Sequence, residues 1–226
     1  MGTFCDYTIY FFIYATIGYL LEVAFCSLLE KRLILNRGFL LGPCLPIYGL
    51  GAILIVIVTS PVHNEFGPIF LISIVTCSTL EYFASWALEK LFDIKWWDYS
   101  TSDSINLNGR ICLRNSLLFG IGGYFIIEYV QPTTRYIAAS LQPFQPILSI
   151  TLLAIFTLDL VLSARAAREI GLNPKLKRLS IDQPNEIKKL AHLSTIRLLT
   201  KNITTKFHHG KIRQEPYPPS SRTPKS

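Results

Sequence analysis

Residues 89–123 read EKLFDIKWWDYSTSDSINLNGRICLRNSLLFGIGG. The stretch separates two long apolar segments and holds most of the polar chemistry before the C-terminal tail. Its polar middle runs from Lys90 to Asn108. Structureless connections beyond about 12–15 residues are uncommon unless they are functional or disordered. Trp96, Trp97, Asp98, Tyr99, Asn108 and Arg110 crowd this one, so it reads as an ordered cap over a membrane-embedded site.

The flanking segments set the fold class. The chain has 226 residues, 50% hydrophobic and 16% charged, with a mean hydropathy of +0.36. A helix that crosses a bilayer takes about 20 apolar residues. Five runs qualify: Tyr7–Leu29, Phe39–Ser60, Pro68–Leu88, Ile111–Val130 and Pro146–Ala164. A chain this short cannot bury five such helices in a soluble core. The expectation is an all-α, polytopic transmembrane helix bundle of five spans. The first span reads as a helix and not as a signal peptide, because no basic n-region precedes it and Glu22 interrupts it.

Lys and Arg concentrate in cytoplasmic loops. None precedes Tyr7; the first loop has Lys31, Arg32 and Arg37; the second has none; the third has Lys90, Lys95, Arg110 and Arg114; the fourth has only Arg135. This alternation predicts a multi-pass protein with its N-terminus outside and its C-terminus cytoplasmic. Of the 22 Lys and Arg, 14 lie from Arg165 onward, against 4 of the 15 Asp and Glu, so the formal charge of +7 comes from the tail. Residues 1–165 therefore read as a transmembrane domain and residues 166–226 as a basic cytoplasmic tail, helical over Asn185–Ile203 and then disordered. The basic residues suit anionic lipid headgroups. Aromatics are nearly absent among them, which argues against nucleic acid as a partner.

The spans repeat a pattern. LLEVAFCSLLEK (residues 20–31) matches TLEYFASWALEK (residues 79–90) at an offset of 59, and Tyr48-Gly49-Leu50-Gly51 matches Phe119-Gly120-Ile121-Gly122 at an offset of 71. The extra residues fall in the long loop. Spans 1–2 and 3–4 thus read as a parallel internal repeat, an arrangement known in transporters with the site at the repeat interface. Glu22 and Glu81 each lie seven residues from the inner end of their span, and Asp159 five. At 1.5 Å per residue these acids sit roughly 10 Å deep. Carboxylates at that depth are costly and mark a pathway or a paired site.

Span 2 carries Gly42, Pro43, Pro46 and Gly49 close together. Proline removes a backbone donor and clashes with the preceding turn, and non-helical backbone in a membrane needs protein or a watery cavity to satisfy it. The inner half of span 2 is therefore expected to be unwound and to face the acids. Arg37 and Arg110 open the second helix of each pair, placed to bind Glu22, Glu81 or Asp98, or an anionic headgroup or substrate. The candidate substrate-binding set is Glu22, Arg37, Glu81, Glu89, Asp98, Asn108, Arg110 and Asp159. Trp96 and Trp97 read equally as interfacial belt aromatics. The five cysteines are scattered without a C-x-x-C, so no metal site and no cofactor is expected.

RGFLLGPCLPIYGLG (37–51), EYFASWALEKLF (81–92), WWDYS (96–100) and LNGRICLRNSLLFG (107–120) together resemble the bacterial family of ABC-transporter type IV membrane proteins, also described as ABC transporter permeases. The resemblance covers residues 8–165 and leaves out the basic tail. It implies a bacterial plasma-membrane protein and a transport role. The chain has no Walker A sequence, so an ATPase would be a separate subunit.

Three function classes follow. A permease-like transport component is favoured by the repeat, the broken helix and the acids at one depth. A membrane-embedded enzyme acting on a lipid or isoprenoid would use Asp98, Arg110 and the carboxylates, but no nucleophile or metal motif accompanies them, so the enzyme reading stands second. A non-catalytic membrane assembly partner would dock other proteins through the tail.

Overall fold

The computed structural model describes residues 3–172 except 32, 34, 36, 37, 63, 64 and 102, and leaves the side chains of 29 and 30 undescribed. Arg37 and the whole basic tail lie outside the described residues. Helix α1 (Phe4–Glu30) opens on a capping box between Thr3 and Asp6 and closes at Lys31, which is left-handed. Helix α2 (Pro46–Val58) begins with proline at its first position, where the missing N–H costs nothing. Helix α3 (Phe66–Phe92) also ends on a left-handed residue, Asp93. A two-stranded hairpin, β1 (Asn106–Leu107) with β2 (Ile111–Cys112), leads into α4 (Leu113–Phe125). Asn108 and Gly109 both have positive φ in the hairpin turn, and Arg110 N–H closes it onto Leu107 C=O at 3.0 Å. A π-helical segment, Ile126–Val130, joins α4 to α5 (Gln131–Ser140). A short turn then enters α6 (Gln145–Leu172).

Among the described residues, three helical stretches are long and apolar enough to cross a membrane: Phe4–Leu28, Phe66–Phe92 and Gln142–Leu172. A 27-residue helix spans about 40 Å, against about 30 Å of hydrocarbon. The second expected span differs. Only its C-terminal part, α2, is helical, and the 13 residues of α2 reach about 20 Å. Gly42 and Pro43 lie in the irregular segment before it, whereas Gly49, grouped with the break on sequence grounds, lies inside α2. It packs there against α1, and a Cβ on it would stand 2.8 Å from the Phe11 carbonyl oxygen. The connection expected after the fourth span is mostly helix α5, reached through the π segment.

The burial pattern is inverted relative to a soluble bundle. Leu21, Phe25, Leu71, Val75, Phe83, Ile147, Ile150 and Leu158 are exposed, while Ser73, Ser78, Ser85, Thr134, Ser149 and Ser163 are buried. Small and hydroxyl side chains let membrane helices approach closely, and lipid-facing surfaces stay apolar. Ser78 donates to Ser116 across α3 and α4 at 2.8 Å. At the α1, α5 and α6 contact, Tyr14 hydrogen-bonds Gln131, and Gln145 donates to Asp6 at 2.9 Å and to the Ala138 carbonyl at 2.7 Å.

The long loop after α3 is pinned at several points. Trp96 is buried with Ile94, Ala167 and Ile170, backed by Phe39 and Phe92, so it is a core residue and not a belt aromatic. Trp97 Nε1 donates to the Arg110 carbonyl at 3.0 Å, and Tyr99 N–H donates to the Gly109 carbonyl at 2.8 Å.

Candidate functional site

Glu81 lies on the buried face of α3, 6% exposed. Tyr99, from the pinned loop, donates its hydroxyl to Glu81 Oε1 at 2.9 Å and accepts from Asn115 Nδ2 at 2.8 Å. Burial first, then the Glu81 charge, pushes the Tyr99 hydroxyl well above the usual phenol range. It therefore stays a hydrogen-bond donor across the physiological pH range. Glu81 Oε2 is buried and has no hydrogen-bond partner among the described residues.

Glu22, on α1, is held by α2. Tyr48 donates to Glu22 Oε2 at 3.2 Å, and Cys26 Sγ lies 3.8 Å from Oε1. A Cβ at Gly18 would overlap the Tyr48 ring, so that glycine lets the tyrosine lie flat against α1. Each acid thus meets a tyrosine hydroxyl from another element, Glu22 that of Tyr48 and Glu81 that of Tyr99.

Asp159 has a different occupation. Its carboxylate accepts from Leu41 N–H at 3.0 Å and Gly42 N–H at 2.8 Å, and from Ser163 Oγ at 3.0 Å. It satisfies the backbone that the irregular segment leaves unpaired, which a helix would have satisfied internally.

Arg110 binds Glu89 at 2.6 Å, donates to Ser85 at 3.1 Å and lies 5.8 Å from the Tyr82 ring centroid. Residues 81, 85 and 89 fall four apart along α3, on one face. Arg110 therefore meets the lower end of the stripe that begins at Glu81, but its ion pair is with Glu89 and not with Glu22, Glu81 or Asp98. Asp98 instead pairs with Lys95 at 2.9 Å and accepts from Ser100 N–H and Oγ at 2.9 and 2.6 Å. Partial burial raises its carboxyl, but the Ser100 and Lys95 bonds outweigh this and hold it below the usual carboxylate range. Asn108 donates to Tyr82 at 3.0 Å.

Of the candidate residues, Glu22 meets Tyr48 and Glu81 meets Tyr99, Arg110 joins Glu89, Asn108 braces Tyr82 beside that pair, and Asp98 and Asp159 each hold their own stretch of backbone. Sequence reasoning left out Tyr48, Tyr99, Ser85 and Asn115. Tyr99 was legible within WWDYS, but which acid it would meet was not.

The family described as Putative ABC-transporter type IV matches residues 9–164. The chain belongs to that family. No curated protein and no solved structure matches it. The three long apolar helices among its described residues and its family make it a multi-pass membrane protein.

Proposed function

We propose that the chain is a permease-like transport component whose polar site is built around Glu22 and Glu81 and roofed by the WWDYS loop. The observation that carries this reading is the bond from Tyr99, in that loop, to Glu81, a buried acid on a helix long enough to cross the membrane. A carboxylate placed there at such cost marks a pathway more than a scaffold. The family description supports a separate ATPase subunit as partner. The test compares untargeted metabolite uptake in cells carrying the wild-type chain, Glu81→Gln, or Glu65→Gln as an outer-loop control. The expected result is a wild-type uptake difference lost in Glu81→Gln and kept in Glu65→Gln. Equal uptake in all three would sink the reading.

The proposed topology is five crossings of a bacterial plasma membrane with the C-terminus inside, α2 completing its crossing through the irregular segment. A reporter fused after residue 165 should report the cytoplasm; an external signal there would reverse the orientation.

The parallel repeat is part of this proposal. In its support, α1 and α3 have 27 residues each and α2 and α4 have 13 each. Gly49 meets Phe11 as Gly120 meets Phe70, at the same offsets of 71 and 59 that align the sequence words. Gly38 and Gly109, also 71 apart, both have positive φ. Gly49→Val and Gly120→Val should each destabilise the fold by about 1–3 kcal/mol through overpacking. A large loss for one and none for the other, in thermal unfolding in detergent, would count against equivalent helix pairs.

A further inference from the structure

We propose that a groove beside the start of α4 binds phosphatidylethanolamine, a phospholipid whose headgroup carries a phosphate and a primary ammonium. The groove has a volume of about 400 Å³ and is lined by Asp103, Ser104 and Ile105 of the loop and by Leu113, Arg114 and Leu117 of α4. Its two walls are fixed. Leu113 N–H donates to the Ile105 carbonyl at 3.0 Å, and Asn106 Nδ2 donates to the Asp103 carbonyl at 2.7 Å. Such binding requires only that the chain lie in a membrane, not that Glu22 and Glu81 form a transport site.

The groove stands at the rim of the bilayer. Ser116 is three residues past the start of α4, yet it meets Ser78, fourteen residues before the end of α3. At about 1.5 Å per residue, α4 starts about 15 Å short of the end of α3. Helix α3 is about 40 Å long against about 30 Å of hydrocarbon, so the first turn of α4 lies no farther out than the lipid headgroups. The Arg114 side chain is 64% exposed there, and a guanidinium facing lipid is costly without an anionic group beside it. From the groove, Leu113, Leu117, Ile121 and Phe125 continue along one face of α4, four residues apart and all exposed. This stripe runs about 18 Å, close to the roughly 15 Å depth of one leaflet, and so offers a track for one acyl chain.

Charge selects the headgroup. Among the lining residues Arg114 is positive and Asp103 negative, paired at 3.3 Å, so the groove is neutral overall. A headgroup of net negative charge would match Arg114 and be repelled by Asp103. One that carries both signs matches both. The Arg114 fork has five N–H donors, and those turned away from Asp103 can hold a phosphate. A primary ammonium donates N–H bonds to the Asp103 carboxylate and the Ser104 hydroxyl, which a trimethylammonium, having no N–H, cannot do.

The test titrates the full chain, purified in detergent, with phosphatidylethanolamine, phosphatidylcholine and phosphatidylglycerol of identical acyl chains. Bound lipid is counted by native mass spectrometry, and the unfolding midpoint is followed in parallel. Phosphatidylethanolamine should bind saturably, at least fivefold tighter than either other lipid, and raise the midpoint. Arg114→Ala and Asp103→Asn should each weaken that binding at least fivefold. Because either could unsettle the hairpin, Leu117→Trp serves as the deciding variant: it fills the groove, leaves both charges and should weaken binding equally. Leu71→Trp, an exposed apolar position on α3, should leave binding unchanged. Equal binding of phosphatidylglycerol would reduce the groove to a cationic patch and overturn the assignment. Equal binding of phosphatidylcholine, or undiminished binding by Leu117→Trp, would overturn it as well.

Discussion

Asp159→Ala should lower the stability of the chain by about 1–4 kcal/mol, because a backbone donor left without an acceptor costs about 1–3 kcal/mol when buried, and the two donors here are part-buried. The two donors are Leu41 N–H and Gly42 N–H, at 3.0 and 2.8 Å from the carboxylate. The segment before α2 has no helix of its own to satisfy them, and a bilayer offers no water to do so. Asp159→Asn keeps one acceptor oxygen and turns an amide donor toward the other N–H, so its loss should fall between alanine and wild type. The measurement is the unfolding midpoint in detergent, with limited proteolysis between residues 38 and 45 as a local readout. An unchanged midpoint and unchanged cleavage in Asp159→Ala would remove the carboxylate from the account of the broken helix.

Arg110→Ala should cost about 2–3 kcal/mol. Breaking a buried pair costs about 3–5 kcal/mol. Arg110 and Glu89 keep 17% and 31% side-chain exposure, which screens the charge left behind. Glu89 would lose its 2.6 Å partner and Ser85 its donor. The double variant Arg110→Ala/Glu89→Ala should be less destabilised than the sum of the single variants, because it strands no charge. Arg110→Lys should be intermediate, since one ammonium cannot reproduce the planar fork that reaches both partners. Additive losses in the double variant would mean that the pair contributes packing only.

The helical class and the long apolar segments were legible in the sequence because bilayer thickness sets a minimum length that composition exposes directly. The irregular segment before Pro46 was legible for the same kind of reason, since Pro43 and Pro46 remove donors whatever surrounds them. The pairing of charged groups was not. Arg110 stands at a loop position from which several acids are in reach, and only the folded hairpin, turned at Asn108 and Gly109, aims it at Glu89. Asp159 read as one of three equivalent acids because depth along a helix is periodic and visible, whereas the neighbour across the helix interface is not. Trp96 stayed open between two readings for a related reason: an indole next to a span is common in both interface belts and cores. Here Gly171 lets α6 approach the Phe92 carbonyl closely, and Trp96 joins the core where α6 meets the loop.

The most direct test of the shared site is cross-linking in the intact membrane. The five native cysteines are replaced by serine, and Glu22→Cys and Glu81→Cys are introduced together. A short bifunctional thiol reagent should join them within one chain, identified by peptide mass spectrometry. Ser78→Cys with Ser116→Cys, whose hydroxyls lie 2.8 Å apart across α3 and α4, is the positive control in the same background. Efficient cross-linking of both pairs is the predicted result. A control pair that cross-links while positions 22 and 81 do not would contradict the account.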